Sequence, residues 1–158
     1  MYNYQYLPML HIIDNINDPL TRLIQDDPVR PEISLSARIH QWAEIFVLEE
    51  NDQPAAVTCV RYMDSVPACV EDLSQVANPS VAVFYTIWSY QPGAARRLIM
   101  AAQAWQRANR PEIHRWVTLS PKTEMARVFH HRNGAVTLRE NTDTINYEYC
   151  SGTTLSAV

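Results

Sequence analysis

At 158 residues the chain is sized for one domain rather than two. Apolar residues make up 47% and charged residues 19%, a globular composition that excludes a disordered or fibrous chain. Lys and Arg number 13 against 17 Asp and Glu, and the resulting charge of −4 weighs against nucleic acid or an anionic membrane as a partner, since both require a positive footprint. Three cysteines, Cys59, Cys69 and Cys150, are an odd set with no CxxC spacing. They indicate neither a disulfide framework nor a zinc site, and the expectation is reduced thiols in the cytoplasm. The opening MYNYQYLPML lacks a basic region and contains Pro8, so it does not read as a signal peptide. No apolar run approaches the ~20 residues that cross a bilayer.

The first forty residues read as polar and helical, with breaks. Asp18 and Pro19 suit the start of a helix striped by Leu20, Leu23 and Ile24, which Asp26-Asp27-Pro28 stops. A second short helix is predicted over 34–42, where Leu35, Ile39 and Trp42 share a face. AEIFVLEE, the turn Asn51-Asp52-Gln53-Pro54 and AAVTCVRYM then form a hairpin pattern. The stretch from Asp64 to Ser80 carries Pro67 and Pro79 and reads as an irregular loop. Val81–Tyr90 is nearly continuous β-branched and aromatic sequence, as in a central strand buried on both faces. By alternation Tyr85 and Ile87 share one face of it, Thr86 and Trp88 the other.

The pattern then changes to helical spacing. Residues 95–109 place Ala95, Leu98, Ala102 and Trp105 on one stripe. Arg115–Ser120 is a short apolar strand. Ser120-Pro121 has the chemistry of an N-cap and first helical residue, with Met125, Val128 and Phe129 inward and Asn133-Gly134 as the stop. AVTLRE and DTINYEY close the chain as two strands. The expected architecture is an α/β layer with a mixed sheet. The aromatic start (Tyr2, Tyr4, Tyr6) suits either a first strand or a partner contact.

Between the central strand and its helix lies Tyr90-Gln91-Pro92-Gly93-Ala94-Ala95. A turn that opens a helix leaves backbone N–H groups unpaired at the positive end of the helix dipole, and small residues let an anion approach them. Arg96 and Arg97 follow and would add charge. The plainer alternative is an ordinary strand-to-helix turn with two solvated arginines. This succession of strand, small-residue turn, helix, strand, helix and strand pair resembles the GNAT acyltransferase superfamily, whose turn pattern is Gln/Arg-x-x-Gly-x-Gly/Ala. Gly93 and Ala95 match that pattern, Tyr90 departs from it, and Pro92 removes one N–H. The resemblance implies a single domain over 1–158 with a mixed, mostly antiparallel central sheet flanked by helices. It also implies acetyl-CoA or another acyl-CoA as co-substrate, held by Ser89, Tyr90, Gln91, Gly93, Ala94, Ala95, Arg96 and Arg97. No metal is implied. The acceptor would be a small-molecule or protein amine, and a homodimer is compatible with this reading.

Two further stretches are similar to malonyl-CoA decarboxylase, whose catalytic half is itself GNAT-folded. These are Thr118-Leu119-Ser120-Pro121 and Phe129-His130-His131-Arg132-Asn133-Gly134-Ala135, with Asn146-Tyr147-Glu148-Tyr149 near the end. That resemblance implies Ser120 and His130 as catalytic residues. In ordinary GNAT enzymes a Tyr four residues before the closing glycine protonates the departing thiolate, and His130 holds that place relative to Gly134. A pKa near 6.5 would suit His130 to proton transfer, and capping of the helix end is its bland alternative. If Ser120 caps the same helix, ten residues separate it from His130, or ~15 Å along the axis, which excludes a direct hydrogen bond. Tyr85 is a candidate base or water holder. An N-acyltransferase is the first expectation, a decarboxylase-like lyase the second and a non-catalytic binding module the third. Acylation of a DNA base is disfavoured by the charge.

Overall fold

The computed structural model describes residues 8–150 except 74, 75 and 77, so the tyrosines at positions 2, 4 and 6 lie outside the described residues. Eight strands form one sheet: β1 (Met9–Ile13), β2 (Ala43–Glu50), β3 (Gln53–Met63), β4 (Val81–Ser89), β5 (Arg115–Thr118), β6 (Ser120–Pro121), β7 (Val136–Glu140) and β8 (Thr144–Tyr149). Their order is β1-β2-β3-β4-β5-β8-β6, with β7 on β8. The β4–β5 pair is parallel and every other described pair antiparallel. Three α-helices accompany them: α1 (Leu35–Arg38), α2 (Ala94–Asn109) and α3 (Glu124–Arg132). This is the expected mixed, mostly antiparallel sheet with flanking helices.

The near-continuous apolar run of β4 follows from its place between two covered faces. On one face the α2 stripe of Leu98, Ile99 and Ala102 packs on Phe46, Ala56, Ala82 and Phe84. On the other, Leu23 and Ile39 of the N-terminal segment cover Ile45, Cys59, Val83 and Tyr85. The hairpin between β2 and β3 is tighter than predicted. Asn51 and Asp52 alone form its turn, with φ of 53° and 60°, the left-handed pair of a type I′ turn that matches strand twist. Gln53 and Pro54 already belong to β3.

The N-terminal prediction needs correction. Met9–Ile13 is a strand paired to β2, and Pro19–Asp26 is a 3₁₀ segment rather than an α-helix, although Asp18 caps it as expected. The second helix is only four residues long, because Ile39 already has extended backbone.

Two corrections bear on the site. A bulge between β3 and β4 pairs Cys59 with Thr86 but Val60 with Phe84, leaving Tyr85 unmatched. Alternation breaks there. Tyr85 and Trp88 consequently join one core cluster, whereas Phe84 and Ile87 pack in the other, so Tyr85 and Ile87 do not share a face. Ser120 does not cap α3. It lies in β6, opposite Ile145 of β8, and Thr123 is the cap, its hydroxyl accepting from the Ala126 N–H at 3.2 Å. With the helix starting three residues late, Met125 is 83% exposed rather than inward, while Phe129 is half-buried and His130 buried. The predicted stop holds: Gly134 takes φ 92°, and Asn133 N–H returns to the His130 carbonyl.

Candidate functional site

The parallel strands β4 and β5 stay together only briefly. Their last backbone bond runs from Leu119 N–H to the Phe84 carbonyl at 2.9 Å, after which the chains part. A cleft of about 380 Å³ fills the gap. Ile87, Trp88, Pro121 and Phe129 wall it, together with Ala95 of α2 and with Ser120 and His130. Among the described residues no carboxylate lines it.

At the fork, Ser120 Oγ lies 3.3 Å from His130 Nε2, and His130 Nδ1 lies 2.8 Å from the Tyr149 hydroxyl. The ~15 Å separation derived from the sequence is therefore overturned. It assumed that both residues sit on one helix axis, whereas Ser120 is a strand residue and the chain turns at Pro121–Thr123 before α3 begins. Ser120 Oγ also donates to Thr118 Oγ1 at 2.8 Å, and Thr118 Oγ1 accepts the Tyr147 N–H at 3.1 Å.

Burial, reinforced by the neighbouring charge of His131, depresses the His130 pKa from 6.5 to about 4. At pH 7 the ring is neutral. Burial also pushes the Tyr149 phenol above its ordinary value, so Tyr149 keeps its proton. Since the Ser120 hydroxyl is spent on Thr118, its oxygen accepts from Nε2–H, and Nδ1 accepts from the Tyr149 hydroxyl. That fixes the proton of the imidazole on Nε2, aimed at Ser120 Oγ. The pair thus presents a neutral N–H donor and a hydroxyl in an apolar cleft. A neutral imidazole gives a hydrogen bond, not a proton, so the ordinary pKa expected from sequence does not apply. His131 is set apart: it is exposed, with Nε2 at 2.9 Å from Thr137 Oγ1.

The other candidates divide. Tyr85 is buried, and its hydroxyl lies against the Cys59 thiol with its pKa raised by burial and by that neighbour. Tyr85 also lines the cleft, and its buried hydroxyl makes no hydrogen bond among the described residues. The turn before α2 is accessible: Ser89, Tyr90, Gln91 and Gly93 are exposed, and Ala94 is buried. Gly93 caps α2 with φ 75°, a conformation that favours glycine. The N–H groups of Gly93, Ala95 and Arg96 find no partner among the described residues, as befits a helix start. Arg96 is exposed. Arg97 is engaged, with Nε and Nη2 each 2.8 Å from a carboxylate oxygen of Glu50. Tyr90 donates its hydroxyl to Asp26 at 2.7 Å and accepts from Trp88 Nε1 at 3.1 Å.

Sequence reasoning passed over a buried polar network beneath this cleft. Arg38 Nη1 donates to Asp27 Oδ2 at 2.6 Å, and both side chains are fully buried. The other carboxylate oxygen, Oδ1, accepts from the Val29 and Arg30 N–H groups and from Thr86 Oγ1 on β4. Burial opposes ionisation of Asp27, but these bonds outweigh it and hold the pKa below its ordinary value. No spacing rule joins positions 27, 38 and 86, so no sequence signal exposed the network. Among the described residues there is no metal-type cluster of three His, Cys, Asp or Glu side chains, and no helix is long and apolar enough to cross a membrane.

No family model and no curated protein matches the sequence. Among solved structures, malonyl-CoA decarboxylase from Agrobacterium vitis aligns at a TM-score of 0.65 and 22% identity, over 81% of this chain and 36% of that one. A probable acetyltransferase from Staphylococcus epidermidis aligns at 0.63 and 15% identity, over 93% of this chain and 100% of the other. The chain has the GNAT fold. A GNAT family acetyltransferase from Elizabethkingia anophelis with acetyl-CoA bound aligns at 0.61 and 10% identity, over 90% and 97% of the two chains. The chain spans about a third of the length of the decarboxylases it matches.

Proposed function

We propose that the protein binds an acyl-CoA in the cleft between β4 and β5, and that Ser120 and His130 act on the thioester carbonyl. The exposed amides at the start of α2 would receive the pyrophosphate. The observation that carries the reading is the Ser120–His130 contact, with its neutral Nε2–H at the fork. A donor that is already neutral, and that lies at the fork beside a second hydroxyl, suits stabilisation of an oxyanion once it exchanges its bond to Ser120 for one to the ligand. In a cleft without carboxylates, the reaction this supports best is decarboxylation of a malonyl-type thioester. The bond between the carboxylate and Cα breaks, CO₂ leaves, and the electron pair becomes a thioester enolate. Its oxygen would draw the His130 Nε2–H away from Ser120 Oγ and the Ser120 hydroxyl away from Thr118 Oγ1. A solvent proton at Cα completes acetyl-CoA.

Acyl transfer to an amine is the second reading, supported by the full-length match to free-standing acetyltransferases. One experiment separates the two. The protein is incubated with malonyl-CoA, or with acetyl-CoA and an amine pool, and the products are read by mass spectrometry. Acetyl-CoA from malonyl-CoA supports the lyase, and acetylated amine supports the transferase. Under either, Ser120→Ala should lower turnover roughly 10²–10³-fold. Absence of CoA binding by the folded protein in calorimetry overturns both.

A further inference from the structure

Where β4 and β5 part, two carbonyl oxygens lose the rung that a continuing parallel ladder would supply. These are the carbonyls of Tyr85, the bulge residue, and Leu119, which immediately precedes Ser120. Both are taken by one side chain. Arg30 Nε donates to the Tyr85 carbonyl at 3.3 Å, and Arg30 Nη2 donates to the Leu119 carbonyl at 3.1 Å. The planar guanidinium spans the fork as a substitute rung, a task that needs two donors held in fixed relation. Arg30 makes no ion pair among the described residues, so its charge is not already committed to a carboxylate.

The residue is itself held from behind. Its backbone N–H donates to Asp27 Oδ1 at 3.0 Å, and its carbonyl accepts from Arg38 Nη2 at 2.6 Å. Asp27 in turn accepts from Thr86 Oγ1, the next residue along β4. The buried Asp27–Arg38 pair thus fixes the loop that carries Arg30, and Arg30 fixes the separation of the two strands one residue before Ser120. Pro28 and Val29 of the same loop line the cleft.

We infer that Arg30 is a positioning residue, whose bridge between the Tyr85 and Leu119 carbonyls sets the distance from the β4 backbone to Ser120. This inference rests on the proposed thioester chemistry for its kinetic arm. Its structural arm is independent of that chemistry. Removing the bridge lets the fork relax, and displacement of a reacting group by about 1 Å costs on the order of 10²-fold in rate.

The test uses Arg30→Ala and Arg30→Lys in the full chain. Hydrogen exchange should rise at 84–89 and 118–120 in Arg30→Ala while the amides of α2 keep wild-type protection. With malonyl-CoA, kcat should fall roughly 10²-fold and KM should change less than about threefold, since the α2 turn is untouched. Guanidinium ion at millimolar concentration should restore part of the Arg30→Ala rate saturably, which a side chain needed only for folding would not show. Arg30→Lys keeps the charge but has a single donor centre, and should recover less than half of the lost rate. If Arg30→Ala does not fold, Arg30→Lys carries the exchange and kinetic comparison alone. Unchanged exchange at the fork overturns the inference, as does an unchanged kcat in an active enzyme. A wild-type protein inactive on both malonyl-CoA and acetyl-CoA overturns the proposed chemistry instead, and the exchange measurement then decides the clamp.

Discussion

Replacing His130 with Gln removes a group whose protonation the fold opposes, and the cost can be worked from its surroundings. The ring is 4% exposed, stacked on Tyr147 and bonded to Ser120 and Tyr149. Its pKa lies near 4 in the folded protein against 6.5 for an ordinary histidine. That gap corresponds to about 3 kcal/mol. The folded-state pKa is the lower one, so between pH 6.5 and 4 the unfolded chain binds the extra proton. Stability from this group is therefore complete above pH 6.5 and declines as pH falls toward 4. Urea unfolding at pH 7.5, 6.5, 5.5 and 4.5 measures it, with His130→Gln as the subtraction. Carboxylates and other histidines titrate in both proteins, so the difference isolates His130. Wild type should lose about 2.5 kcal/mol more than the variant over that range, which stops short of the folded-state pKa. Parallel pH curves would refute a neutral, buried His130.

Asp27→Ala should cost about 3–5 kcal/mol in urea unfolding, because it strands the Arg38 guanidinium without its carboxylate in the core. Gly93→Val should weaken CoA binding at least tenfold in calorimetry and cost about 1–2 kcal/mol of stability, mostly through the left-handed backbone. Arg97 stands 2.9 Å from where the new Cβ would be, but its guanidinium end is mobile enough to yield. His131→Ala should leave turnover within about twofold of wild type, since its ring bonds Thr137 on the surface while His130 faces the cleft; equal losses from the two histidines would place the wrong ring at the site.

Periodic patterns carried most of the fold. The alternating or continuous apolar runs of β2, β3 and β4, the stripe of α2 and the Asn133-Gly134 stop are local features, and local features survive in one dimension. The bulge at Tyr85 does not, because alternation assumes an unbroken ladder. Ser120-Pro121 shows how two local rules compete: its residues suit an N-cap, yet pairing with Ile145 and Thr144 makes them a strand. The pairing partner lies some twenty-five residues away, and Thr123 offers a second hydroxyl for the cap. His130 was visible as a candidate, but its neutrality follows from burial against Tyr147 and Tyr149, which only the folded chain assembles. Arg38 stands between Leu35 and Ile39 with no local signal that marks it as a core residue. Its burial depends on Asp27, eleven positions away.

The Arg97–Glu50 fork has a consequence for the energetics of the proposed CoA binding. Glu50 at the end of β2 is held below its ordinary pKa by hydrogen bonds from Arg97, and Arg97 is held above its own by the same contact. A phosphate that recruits this guanidinium must therefore displace a carboxylate already seated on it. Capture then becomes an exchange of anions, and Arg97 contributes only the difference between the two. Once released, Glu50 returns toward its ordinary proton affinity. Near pH 4, binding would take up a fraction of a proton, and calorimetry in buffers of different ionisation enthalpy would register it. Arg96, with no such competitor among the described residues, would bind phosphate without that signature.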